Sequence, residues 1–145
     1  MFREATIVTY KNRLIDISKG DSSSVEFDFE NIWNEVKKIP EFENKYLNFF
    51  HTHAFNFDSY SETDIRCMKA LNLGFGCSVN FWILALGRCF KHYRFVDGGV
   101  EHIKTIGGLK DLNLFDDVFV GGYSLTQINF ILSYLSGYSQ YETDN

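Results

Sequence analysis

His51 and His53 stand one residue apart in the stretch HTHAFNFDSYSETD, which spans residues 51–64 and holds two of the chain's four histidines. Imidazole nitrogen is the commonest protein ligand for metals, and a carboxylate oxygen completes many zinc sites. Asp64 closes the same stretch. Two imidazoles and one carboxylate make three ligands, and a catalytic zinc leaves its fourth position to water. Zinc acidifies that water and polarises a carbonyl oxygen, so the chemistry on offer is hydrolysis. Ser61 adds a hydroxyl that could donate to the oxyanion of a tetrahedral intermediate. Still needed is a general base, normally a carboxylate within reach of the water.

These side chains converge only if their elements bring them together. Residues 46–53 (YLNFFHTH) alternate as a strand, and its period of two puts Leu47, Phe49, His51 and His53 on one face. Ser61, with Asp64 three positions later, has the spacing of a capping box, so a helix starts there. It is expected to run to Leu73 and end at Gly74. Asp64 then lies in the first turn of that helix, beside the positive end of its dipole.

The rest of the chain supplies a scaffold for this strand and helix. Residues 5–10 and 13–17 are β-branched runs around Lys11-Asn12 and predict a hairpin. Residues 21–24 (DSSS) offer caps for a helix over 27–39 closed by Pro40, with Phe29, Ile32, Trp33 and Val36 as its core stripe. Residues 77–86 (CSVNFWILAL) read as a central strand buried on both faces. Residues 90–96 and 100–106 flank Asp97-Gly98-Gly99 and predict a second hairpin, on which His92 and His102 are expected to be surface residues. Ser124 caps a last helix over 125–135, with Ile128, Ile131, Leu132 and Leu135 on one face. One α/β domain over residues 1–137 is expected, followed by a polar tail at 138–145.

Composition narrows the partners. A net charge of −5, a pI near 5.3 and 14 scattered basic residues argue against a nucleic-acid partner held by charge. No apolar run reaches membrane-spanning length, and the first residues lack a signal peptide's apolar segment, so no membrane partner and a cytoplasmic location are expected. Cys67, Cys77 and Cys89 form no CxxC pair and read as free thiols. With 45% hydrophobic residues and fifteen phenylalanines the chain can fill a core.

The joined spacing, HxH, seven residues, S, two residues, D, resembles the signature of the JAMM (MPN-plus) zinc metalloproteases and meets it at all four positions. The resemblance implies that His51, His53 and Asp64 bind Zn2+, that Ser61 steadies the oxyanion, and that a glutamate on an earlier strand is the general base. It further implies hydrolysis of peptide or isopeptide bonds in a protein or peptide substrate, often at the C-terminus of a ubiquitin-like protein. The implied fold is a mixed β-sheet sandwiched by helices, related to the cytidine deaminases, and the order of elements read above agrees with it. Among Glu4, Glu26, Glu30, Glu35, Glu41 and Glu43, Glu4 has the family's context at the entrance to a hairpin strand, and Glu26 is the second candidate.

Ala54 stands where the family usually has proline, and the chain starts three residues before Glu4, where relatives usually have a helix. The likeness is specific from about residue 4 to 86. Nucleoside deaminase chemistry is excluded, since it needs a PCxxC segment and the single proline here is Pro40. Two alternatives to an intracellular isopeptidase stay open: a non-catalytic scaffold of the same family, and an endopeptidase of the phage-tail, peptidoglycan-cleaving type. Phe55, Phe57 and Tyr60, between the two halves of the motif, are either loop anchors or a wall of the substrate groove, the groove being the preferred reading. Substrate identity and oligomeric state are left open.

Overall fold

The computed structural model describes residues 3–21, 26–53, 60–76, 79–85, 89–96, 99–107 and 118–137. β1 (Ala5–Tyr10) and β2 (Arg13–Lys19) form the expected hairpin, closed by Lys11-Asn12 with Lys11 at a φ of 50°. β3 (Leu47–His53) lies antiparallel to β1 and parallel to β4 (Asn80–Ala85). β5 (Cys89–Val96) and β6 (Gly99–Gly107) complete a mixed six-stranded sheet of order β2-β1-β3-β4-β5-β6. Parallel neighbours need a crossover, and α2 (Glu62–Phe75) supplies it between β3 and β4. These two middle strands are buried at every position, since helices cover both sheet faces.

The period of the strands sorts their residues into two cores. Val8, Tyr10, Leu47, Phe49, Phe81 and Ile83 pack beneath α1 (Phe29–Val36) and α2, which contribute Ile32, Val36, Met68, Leu71 and Phe75. Ala5, Ile7, Phe50, Trp82, Leu84 and Phe90 pack on the other side against Leu125, Ile128 and Leu132 of α3 (Leu125–Ser136). A two-residue pair, β7 (Phe119–Val120) and β8 (Tyr123–Ser124), leads into α3. Its turn packs on the β1–β2 turn so closely that a Cβ at Gly121 would stand 2.6 Å from Thr9 Oγ1, so glycine is required there.

Several expectations are corrected. α1 is shorter than residues 27–39: Asp28 caps it, accepting from the Asn31 amide at 3.0 Å, and residues 22–24 of the expected cap lie outside the described residues. Only Ile32 and Val36 of its stripe are buried; Phe29 and Trp33 are exposed, Trp33 leaning on Phe75 at the far end of α2. α2 runs through Gly74, whose backbone stays helical, and ends at Gly76, whose φ of 102° a side chain would resist. Tyr46 belongs to a short 3-10 turn, Asn44–Tyr46, ahead of β3.

His92 is buried, contrary to expectation, because β5 is flanked on both sides and, of the two hairpin strands, β6 alone is an edge. Its ring stacks on Trp82 at 4.2 Å and its Nε2 meets Asn80 Oδ1 at 2.8 Å. His102 is exposed as expected. Cys67 and Cys89 form no disulfide, and Cys77, residues 97–98 and the tail at 138–145 lie outside the described residues. Among the described residues no helix is long and apolar enough to cross a membrane.

Candidate metal centre

β3 sends His51 and His53 to the face covered by α1 and α2, continuing the row begun by Leu47 and Phe49. Their rings meet edge to face with centroids 5.0 Å apart. On the neighbouring strand Thr6 pairs with His51, so the even-numbered residues entering β1 share the histidines' face. Glu4, two residues before Thr6, lies on that side, and its Oε1 reaches His51 Nε2 at 2.9 Å.

α2 brings the other carboxylate. Ser61 is extended and caps the helix, its Oγ accepting from the Asp64 amide at 3.2 Å while its own amide donates to Asp64 Oδ2 at 2.8 Å. This reciprocal box fixes Asp64 in the first turn with its carboxylate pointing back at β3. Asp64 Oδ1 lies 3.1 Å from His51 Nδ1, and Oδ2 lies 3.1 Å from His53 Nε2. One local motif thus both starts the helix and aims the carboxylate.

The cluster is nearly sealed from water: Asp64 is 1% exposed, His51 and His53 8%, and Glu4 9%. Two buried carboxylates facing two imidazoles hold an excess of negative charge, which low-dielectric surroundings make costly unless a cation or proton meets it. Burial on its own would lower the His51 pKa, but hydrogen bonds to Asp64 and Glu4, and then their charges, raise it from 6.5 to about 9. For Asp64 burial pushes upward, yet His51 and His53 hold the carboxyl well below the usual carboxylate range. Burial, together with the charge of Asp64, pushes the Cys67 thiol up to about 12, so it stays protonated and inert one turn along α2.

Among the described residues, Glu4, His51 and His53 form the group that could hold a metal ion. Asp64 meets the two imidazoles through different oxygens, Oδ1 to His51 Nδ1 and Oδ2 to His53 Nε2, and it does not belong to the group whose donor atoms lie together. The donor atoms of Glu4, His51 and His53 lie within 4.8 Å of one another. Glu4 is therefore close enough to serve as a ligand as well as a base, a possibility its place in the sequence did not disclose.

No family model matches the chain, and neither a curated protein nor a solved structure shows a significant likeness to it.

All five residues singled out in the sequence, Glu4, His51, His53, Ser61 and Asp64, come together in this cluster. Glu26 is exposed ahead of α1, Glu30, Glu41 and Glu43 are exposed as well, and Glu35 is half-buried. Ser61 Oγ also donates to Asp64 Oδ2 at 3.1 Å, so its hydrogen faces that carboxylate rather than open space. Tyr60 is 41% exposed and sets its ring edge-on to Tyr93, with centroids 5.2 Å apart. Ala54, Phe55 and Phe57 lie outside the described residues.

Sequence reasoning missed Thr52. The middle residue of HxH must point away from the histidines, and its hydroxyl receives the Ala5 amide at 2.8 Å on the opposite sheet face. The only signal available was that a fully buried strand carries a hydroxyl there.

Proposed function

We propose that this chain is a zinc-dependent metallopeptidase of the JAMM type, hydrolysing peptide or isopeptide bonds in a protein or peptide substrate. The observation that carries the reading is the convergence of Glu4, His51, His53 and Asp64 from three separate elements into one buried cluster. A mixed sheet in which a hairpin, a helix, the histidine strand, a helix and a buried strand follow in order is in keeping with the family's deaminase-related architecture.

In this reading His51, His53 and Asp64 hold the zinc. Bound there, the ion supplies a Lewis acid that polarises the scissile carbonyl and acidifies water. Glu4 takes the proton from the attacking water and passes it to the leaving amine, in a site dry enough to favour the transfer. The Ser61 hydroxyl turns its hydrogen from Asp64 Oδ2 towards the developing oxyanion, at a helix N-terminus whose potential favours negative charge. Tyr60, exposed beside Ser61, forms a wall for the substrate. A ubiquitin-like protein is one substrate class the resemblance implies, beside peptide substrates.

Metal analysis and a chelator-controlled assay test the proposal together. Purified protein should hold stoichiometric zinc, and should cleave a ubiquitin conjugate or a peptide from a broad panel, losing that activity with chelator and regaining it with zinc. Protein that takes up no zinc overturns the site. Zinc uptake without hydrolysis, with partner binding indifferent to chelator, favours the scaffold reading instead.

A further inference from the structure

Glu4 precedes the first strand, yet three consecutive amides around it are each fastened to a different element. The Arg3 amide donates to Ser136 O at 3.0 Å, the last residue of α3. The Glu4 amide donates to Asp21 O at 2.8 Å, and Glu4 O accepts from Gly20 at 2.8 Å, just beyond β2. The Ala5 amide donates to Thr52 Oγ1 rather than to a backbone carbonyl. Thr52 Oγ1 in turn lies 3.2 Å from Ser136 Oγ and 3.4 Å from Ala5 O, and both Thr52 and Ser136 are fully buried.

The arrangement has a geometric logic. β1 pairs with β3 only as far as Thr6, opposite His51, so the backbone ladder stops just short of Glu4. The Thr52 side chain extends it by one rung from the middle of the HxH triplet. Because Thr52 shares a strand with His51 and His53 but points to the other face, it ties the position of Glu4 to that of the imidazoles. Ser136 then fixes Thr52 from α3, 84 residues away in sequence.

We propose that Thr52 and Ser136 are positioning residues for Glu4, forming a clamp on the sheet face opposite the metal centre that holds the carboxylate at hydrogen-bonding distance from His51. The clamp rests on the reading of Glu4 as the working carboxylate.

Residue-resolved amide exchange on the full chain tests it. Thr52→Val keeps the shape of the side chain and removes the hydroxyl, so the Ala5 amide should exchange roughly tenfold to a hundredfold faster. Ile83 in the middle of the sheet should not change, and Thr52→Ser should restore protection at Ala5. Ser136→Ala, which spares the backbone bond to Arg3, should give a smaller increase at Ala5. Zinc content should survive in Thr52→Val while hydrolysis falls through kcat with KM unchanged. Unchanged exchange at Ala5, an equal increase at Ile83, or failure of the serine rescue overturns the clamp. Faster exchange at Ala5 with full kcat overturns its positioning role. If wild-type protein neither holds zinc nor hydrolyses, the metallopeptidase reading falls, and the exchange pattern alone decides whether the clamp exists.

Discussion

Replacing Asp64 by alanine removes the one group on which the buried His–carboxylate cluster and α2 both close. Four polar groups lose their acceptor at once: the Ser61 amide, the Ser61 hydroxyl, His51 and His53. Loss of the helix-starting box costs about 1 kcal/mol. Removing one partner from a buried charged pair costs roughly 3–5 kcal/mol, because the other partner stays buried without compensation. The contributions share atoms and do not add fully, so the expected loss without metal is on the order of 4 kcal/mol. Urea unfolding at pH 7 with chelator present should show it as a lower midpoint with an unchanged slope. Zinc then provides an independent axis: at free zinc one hundred times its Kd, wild-type protein should gain about 2.7 kcal/mol, and Asp64→Ala much less. Ser61→Ala, which loses the cap but keeps the carboxylate, should cost about 1 kcal/mol and retain most of the zinc gain. An Asp64→Ala protein within 1 kcal/mol of wild type, or one that zinc stabilises as much as wild type, would refute the idea that this carboxylate ties the helix start to a metal site.

Two pH effects follow from the buried groups. In metal-free protein the folded pKa of His51, about 9, lies above its unfolded value of 6.5, so its contribution is complete below pH 6.5 and is lost as pH rises through 9. The loss amounts to up to about 3 kcal/mol, visible in urea midpoints taken with chelator, and a flat profile across that window would contradict it. Asp64 acts in the opposite sense: its depressed carboxyl stabilises above about pH 4, and that contribution fades as acid protonates it. Burial first, then the charges of Arg94, Lys104 and His102, lower His92 from 6.5 to about 4. Stability should therefore fall as pH drops from 6.5 to 4, and Trp82 fluorescence in a Trp33→Phe variant should change as the stacked imidazole gains its proton.

What was legible in the sequence depended on how local the determining contacts are. His51 and His53 share a face because strands repeat every two residues, and Ser61 with Asp64 opens a helix because the box closes within four residues. Both features are written in a single window. Glu4 was reachable only through likeness to a family, since its contact with His51 spans 47 positions. Thr52 and Ser136 could not be paired in advance for the same reason. Trp33 sits on a helical stripe that a short α1 leaves half outside, and a stripe does not say where the neighbouring helix ends. His92 was misjudged because its burial depends on sheet order: a hairpin read alone has two outer strands, whereas in the folded sheet β4 covers one of them.

The role of Glu4 can be separated from that of Asp64 because His51 offers a different nitrogen to each. Its Nδ1 meets Asp64 and its Nε2 meets Glu4, so one ring stands between the two carboxylates. Glu4→Gln keeps an oxygen able to accept from Nε2, and carboxyl or amide partners of this kind orient ligating histidines. The variant cannot take up a proton. If Glu4 is the base, Glu4→Gln should bind zinc like wild type and lose kcat by roughly a hundredfold to ten-thousandfold with little change in KM. If Glu4 is instead a ligand, which its distance from the imidazoles permits, zinc affinity should fall with the same substitution before any turnover is measured. Full activity with full zinc would remove Glu4 from the mechanism, and no other glutamate considered from the sequence lies in the buried cluster to replace it. A dead, zinc-replete Glu4→Gln protein is therefore the result that assigns proton transfer to the carboxylate that the clamp holds in place.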